Sequence, residues 1–190
     1  MRARYSEGKK HVGSGILPAR RFTVLDKRLP WFLFAVIFFV TLFGWWRGYA
    51  GMPERLASHF DAAGAPNGWM SKDQFFTLNS ILAGLAVFIG LFPPLLIAKL
   101  SPSLINLPNK NYWLAPEHRD ETIAFFERWF GWFACAFLLF LALVMQMVIE
   151  SNRSATPQLP SDQFMYLLVG FLLFTGVWVF LMVWKFSRTG

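Results

Sequence analysis

Four long apolar runs without a charged residue limit what this 190-residue chain can fold into. They cover residues 31–46, 75–97, 130–149 and 164–184. A helix that crosses a bilayer core of about 30 Å needs about 20 such residues, so three runs fit directly, and Leu29 and Pro30 lengthen the first. The sequence therefore predicts an all-α integral membrane protein with four transmembrane helices in an antiparallel bundle, with spans at about residues 29–47, 74–98, 129–150 and 163–185.

The composition excludes the main alternatives to a membrane protein. Charged residues make up 15% of the chain, whereas a soluble domain has about 25%. A soluble surface with so few charges could not keep 22 Phe and 9 Trp out of water. A soluble enzyme, a disordered chain and a disulfide-stapled secreted domain are all inconsistent with these numbers.

The distribution of lysine and arginine predicts the orientation in the membrane. Residues 1–28, the loop at 99–128 and the C-terminal end together contain fourteen of the 18 basic residues. The other side has four, namely Arg47, Arg55, Lys72 and Arg153. Because cytoplasmic flanks are enriched in Lys and Arg, both termini are predicted in the cytoplasm, with residues 1–28 as a basic tail and 99–128 as an inner loop. In this placement the basic residues that give the net charge of +7 are attracted to anionic lipid headgroups, so no nucleic-acid partner is needed to explain them.

The outer loop at residues 48–73 is dense in turn-forming residues. Residues 61–64 have the Asp at the first and the Gly at the fourth position expected of a type I turn, and residues 65–68 repeat the pattern with Pro at the second position. Ser71 followed by Gln74 predicts a capping box at the start of the second span. A small ordered structure is therefore expected between the first two spans.

The outer loop also contains the candidate recognition residues His59, Asp61, Trp69 and Lys72. A zinc site is not predicted, because a structural zinc needs four ligands and the loop has one histidine. Two interpretations remain open: His59 and Asp61 hydrogen-bond the two turns together, or they form a recognition surface with Trp69 and Lys72. No cofactor is expected.

The outer loop carries a string of residues that resembles a known family. These residues are Pro53, His59-Phe60-Asp61, Gly64, Pro66-Asn67-Gly68-Trp69 and Ser71-Lys72. They resemble a domain-of-unknown-function family of bacterial membrane proteins, which also forms the first part of SdpI-type toxin immunity and signalling proteins. The resemblance covers about residues 30–97, and residues 106–113 resemble a second motif of the standalone members. It implies a bacterial inner-membrane protein with this loop outside. The later Asn…Phe-Gly-x-Arg-Thr-like segment of SdpI-type proteins has no equivalent here.

The inner loop contributes a second set of candidate residues. Asn109, Tyr112 and Trp113 are candidates for contact with a partner or with lipid headgroups. Pro116 is expected to open a helix that continues into the third span. In the second span, Pro93-Pro94 is expected to kink or end the helix near residues 90–92.

Two functional classes follow from these observations. The first is a non-catalytic binding, signalling or immunity-like module that recognises an envelope ligand or protein partner. The second is a small membrane enzyme, or enzyme subunit, acting on lipid through His118 with Glu117 or Asp120. The absence of a nucleophile–base pair at recognisable spacing favours the first, and no catalytic residue is assigned. The spans also lack the ionisable groups that ion-coupled transporters need. A homo-oligomer is left open.

Overall fold

The computed structural model describes residues 24–189, and their side chains from residue 28. Within this range, four helices are long and apolar enough to cross a membrane: α1 (Val24–Ala50), α2 (Lys72–Lys99), α4 (Pro116–Ser151) and α5 (Ser161–Phe186). The predicted helical membrane architecture is therefore confirmed, with the addition of a small β hairpin. The predicted basic tail lies, up to residue 23, outside the described residues.

Helix α4 is the centre of the bundle and packs against α1 and α2. Glycines allow the close approach. Gly131 faces the ring of Pro30, and Gly90 faces Trp31 and Ala134, at distances that leave almost no room for a side chain. Helix α5 lies at the edge, where aromatic pairs such as Phe140–Phe171, 4.4 Å between ring centroids, connect it to α4. Only 6% of the apolar span of α5 is buried, against 33% for α4, so most of α5 faces lipid.

The hairpin occupies the connection between α1 and α2. Strands β1 (Arg55–Phe60) and β2 (Pro66–Ser71) pair antiparallel. The first predicted turn is confirmed, because Gly64 N donates to Asp61 O at 2.9 Å. Asp61 N in turn donates to Ala65 O at 2.9 Å, and Gly64 has φ of 81°. This is a three-residue hairpin loop, a type I turn closed by a left-handed glycine.

The second predicted turn, at residues 65–68, is wrong. Residues 66–68 belong to β2, where Pro66 lies opposite Phe60 and Gly68 lies opposite His59. Proline is compatible with this position because it is the first residue of the strand, where no ladder N–H is required. The segment has the turn-forming residues Pro66 and Gly68, but its backbone pairs with β1 instead of forming a turn.

Helix α2 begins and ends close to the limits of the predicted span at residues 74–98. The capping box between Ser71 and Gln74 is confirmed. Of the two outcomes expected of Pro93-Pro94, an end of the helix near residue 92 is wrong, since α2 continues through both prolines to Lys99. Burial of Pro94 and Ile97 beyond the first proline sustains the helix.

A short connection joins α2 to α4 at the opposite end of the bundle from the hairpin. It contains a 3₁₀ turn (Pro102–Leu104) and the one-turn helix α3 (Lys110–Trp113). Arg119, in the first turns of α4, donates from Nη2 to Ile97 O at 3.0 Å and Leu100 O at 2.9 Å. These bonds satisfy carbonyls that the end of α2 leaves without helical partners. We call residues 100–115 and 187–189 the loop end, and residues 51–71 and 152–160 the hairpin end.

Candidate binding cleft at the hairpin end

The side chain of Asn152, just after α4, fastens the hairpin to the bundle. Its Oδ1 accepts from Ala57 N at 2.7 Å, and its Nδ2 donates to Ala57 O at 2.8 Å and to Val148 O at 2.9 Å. The amide thus offers β1 the donor and acceptor that a neighbouring strand would offer. Asn152 is 5% exposed and Ala57 is fully buried, so these bonds are shielded from water.

A second attachment holds the tip of the hairpin to the segment between α4 and α5. Leu159 N donates to Gly64 O at 2.9 Å, and Gln158 Nε2 donates to Ala63 O at 2.7 Å. A Cβ on Gly64 would lie 2.2 Å from Leu159 O, so this contact requires glycine as well as the positive φ. A two-stranded hairpin is marginal alone, and these contacts give it a fixed position.

A cleft of about 520 Å³ lies between the hairpin and the α4–α5 segment. It is lined by residues 50–53, by residues 152–155 and Pro157, and by Arg55 and Trp69 from the hairpin. Trp69 lies in β2, and 45% of its surface is exposed. The volume falls within the range of small-molecule sites, about 300–1,000 Å³.

The charged side chains that line the cleft are both arginines, Arg55 and Arg153. Both are exposed, and among residues 28–189 neither guanidinium has a hydrogen bond or ion pair. Of the carboxylates next to them in sequence, Glu54 pairs with Lys72 Nζ at 2.7 Å, and Glu150 accepts from Gln146 at 2.6 Å. Within the described part of the chain, the cleft therefore presents two guanidinium groups without an ion pair.

The structure gives each of the four candidate recognition residues of the outer loop different contacts. Trp69 lines the cleft. Lys72 pairs with Glu54 and lies 4.9 Å from the centroid of the Tyr49 ring. Asp61 accepts from Ala63 N and Ala65 N at 2.9 Å each, and so shapes the hairpin loop. His59 is exposed and lies opposite Gly68.

Sequence reasoning missed Arg55, Asn152 and Arg153. The two arginines had a detectable signal, because they are half of the four basic residues assigned to the outer side. Asn152 had none, since nothing in its local sequence indicates a strand partner far away along the chain.

At the loop end, two of the three candidate residues contact α5. Asn109 Nδ2 and Trp113 Nε1 donate to Phe186 O at 3.0 and 3.2 Å, and so satisfy a carbonyl at the end of that helix. Tyr112 stacks on His118, with 4.2 Å between ring centroids. The acidic neighbours of His118, Glu117 and Asp120, are exposed. Among residues 28–189, whose side chains the structure describes, no group of three or more His, Cys, Asp or Glu could hold a metal ion.

These features define the class: a multi-pass membrane protein in which a small hairpin is fixed on one end of a helical bundle. Residues 35–83 match a family described as a domain of unknown function, DUF1648. The match covers 49 of the 190 residues and runs from within α1, through the hairpin, into α2. No curated protein matches the chain, and no solved structure does.

Proposed function

We propose that this protein is a non-catalytic binding or signalling module of a bacterial inner membrane, and that the hairpin-end cleft is its binding site. The observation that carries the proposal is the double attachment of the hairpin. Asn152 holds β1 and Leu159 holds the loop, so the backbone segments that carry Trp69 and both arginines have fixed positions. A site that is formed before the ligand arrives avoids the entropic cost of ordering a mobile loop.

The positive-inside bias supports an outward-facing hairpin end, because fourteen of the 18 basic residues fall on the other side. The ligand would then come from the cell envelope or be a partner protein there. The resemblance of the outer loop to SdpI-type proteins supports an immunity-like or signalling role for this binding event. Of the four residues proposed from the sequence, Trp69 remains as a direct contact, whereas Asp61 supports the loop.

Helix α4 offers a route from the cleft to a cytoplasmic partner. Asn152 follows the end of α4, and Thr122 near its start donates to Trp113 O at 2.8 Å. The 36 residues of α4 span about 54 Å at 1.5 Å per residue. A shift of the hairpin would therefore displace α4, the helix that also contacts the loop end.

Cysteine labelling tests the orientation. In a Cys135→Ala background, a membrane-impermeant maleimide is expected to label Trp69→Cys in intact cells. Asn111→Cys, exposed at the loop end, is expected to react only after permeabilisation. The converse result, or labelling of both cysteines in intact cells, would contradict the proposed topology.

Photocrosslinking in intact cells tests the binding role. We expect p-benzoylphenylalanine at position 69 to form a discrete adduct of reproducible mass. The matched control is the same residue at position 46, since Trp46 is 72% exposed on α1 and does not line the cleft. If both positions give the same adducts in the same proportions, Trp69 only contacts the bilayer and the binding proposal fails.

A further inference from the structure

We propose that the ligand of the cleft carries an oxyanion, a carboxylate or a phosphate, next to a flat apolar group. This inference rests on the proposed function, because it assigns the chemistry of the ligand in the same cleft. Three side chains support it: Arg55 and Arg153 for the oxyanion, and Trp69 for the apolar group.

The two arginines are positioned by the hairpin clamp. Arg55 is two residues before Ala57 on β1, and Arg153 directly follows Asn152. The hydrogen bonds between Asn152 and Ala57 therefore fix the two backbone segments that carry the guanidinium groups. Two like charges lining one cleft repel each other, and that repulsion is relieved when an anion binds between them. The planar guanidinium forks match carboxylate and phosphate oxygens in bidentate geometry.

Trp69 supplies the apolar part of the site. It pairs with the fully buried Ala57 in the ladder, which holds its backbone, while its ring remains 45% exposed and lines the cleft. Met52 and Pro53 add apolar lining. An indole face next to two cations suits a ligand that is flat or apolar on one side and anionic on the other.

An oxyanion at this place has two sources, a soluble envelope molecule or the headgroup of an anionic phospholipid. The first probe is 1-naphthyl phosphate, with the neutral 1-naphthyl glucoside as its control. Binding is measured by calorimetry on the full chain in nanodiscs of phosphatidylcholine, at low and high ionic strength. The second probe is phosphatidylglycerol, mixed into the nanodiscs, with bound lipid counted by native mass spectrometry.

We expect the wild-type protein to bind the naphthyl phosphate and not the glucoside, with affinity falling as salt is raised. Arg55→Gln and Arg153→Gln should each weaken binding roughly tenfold, since each removes a charge-assisted hydrogen bond. Arg47→Gln is the matched control, because Arg47 is also exposed near this end of α1 but does not line the cleft. Trp69→Ala should weaken the naphthyl phosphate more than inorganic phosphate.

The lipid is identified as the source if two results are obtained. Arg55→Gln and Arg153→Gln lose bound phosphatidylglycerol, and phosphatidylglycerol competes with 1-naphthyl phosphate in the wild type. Retention that is unaffected by these substitutions, with the soluble probe still bound, would identify a soluble ligand. Equal binding in the wild type and in a variant that carries both Arg55→Gln and Arg153→Gln, or binding of neither probe, would overturn the oxyanion assignment. A specific crosslink from position 69 would then still stand, so failure of the ligand chemistry is distinguishable from failure of the binding role.

Discussion

Replacing Asn152 with leucine is expected to release β1 from α4. The substitution keeps a similar volume but leaves Ala57 N and Ala57 O without their side-chain partner, whereas Val148 O keeps the backbone N–H of residue 152, 3.1 Å away. A buried polar group without a hydrogen bond costs about 1–3 kcal/mol, so the free energy of hairpin opening should fall by about 3 kcal/mol. Amide exchange within residues 55–60 should accelerate about a hundredfold, as measured by hydrogen–deuterium exchange in nanodiscs.

The matched control for this prediction is Asn111→Leu. Asn111 is an exposed asparagine at the loop end, far from the hairpin, so the exchange of residues 55–60 should not change. Far-ultraviolet circular dichroism should show that the helices of both variants are intact. Unchanged exchange in Asn152→Leu would mean that burial of Leu56 and Ala57 holds the hairpin without the amide. In that case the spacing of Arg55 and Arg153 would not depend on Asn152.

Replacing Gly90 with leucine is expected to separate the three helices that meet there. A Cβ at this position would lie 2.7 Å from the Trp31 ring and 3.1 Å from Ala134 Cβ, before the rest of the leucine is added. Overpacking of a tight core costs typically 1–3 kcal/mol, and at a contact of three helices we expect about 3 kcal/mol. The midpoint of thermal unfolding in detergent should fall by roughly 10 °C, at about 2–4 °C per kcal/mol.

Gly170→Leu is the control for this steric argument. Gly170 lies on α5, and nothing is within 4 Å of a Cβ built on it. Both substitutions remove a glycine from an apolar helix and add the same side chain, so only the packing differs. Equal thermal midpoints for the two variants would contradict the contact between α1, α2 and α4 at Gly90.

Features that depend on neighbouring residues could be predicted from the sequence. The four spans, the capping box at Ser71 and Gln74 and the start of α4 at Pro116 are of this kind, and the structure contains all of them. So is the turn at residues 61–64, because Asp61 bonds to backbone groups two and four residues away. Local interactions are specified by the residue types within one turn.

Features that depend on residues far apart along the chain could not be predicted. The turn expected at residues 65–68 was reasonable on local grounds, and so was a helix end near residue 92, which was one of the two outcomes expected of Pro93-Pro94. Pairing with β1 converted the first into a strand, and burial of Pro94 and Ile97 carried α2 past the second. Tertiary contacts outweigh local propensities of about 1–3 kcal/mol whenever they satisfy backbone groups or bury apolar surface.

Membrane insertion follows from the apolar runs alone, since partition into lipid is a property of each segment of about 20 residues. The cleft has a different origin. Asn152 and Ala57 are 95 positions apart, and Arg55, Trp69 and Arg153 meet only because α4 brings the segment after it beside the hairpin. No local sequence pattern predicts these contacts. They depend on how the four helices pack and on the hydrogen bonds between the buried Asn152 amide and the free edge of β1.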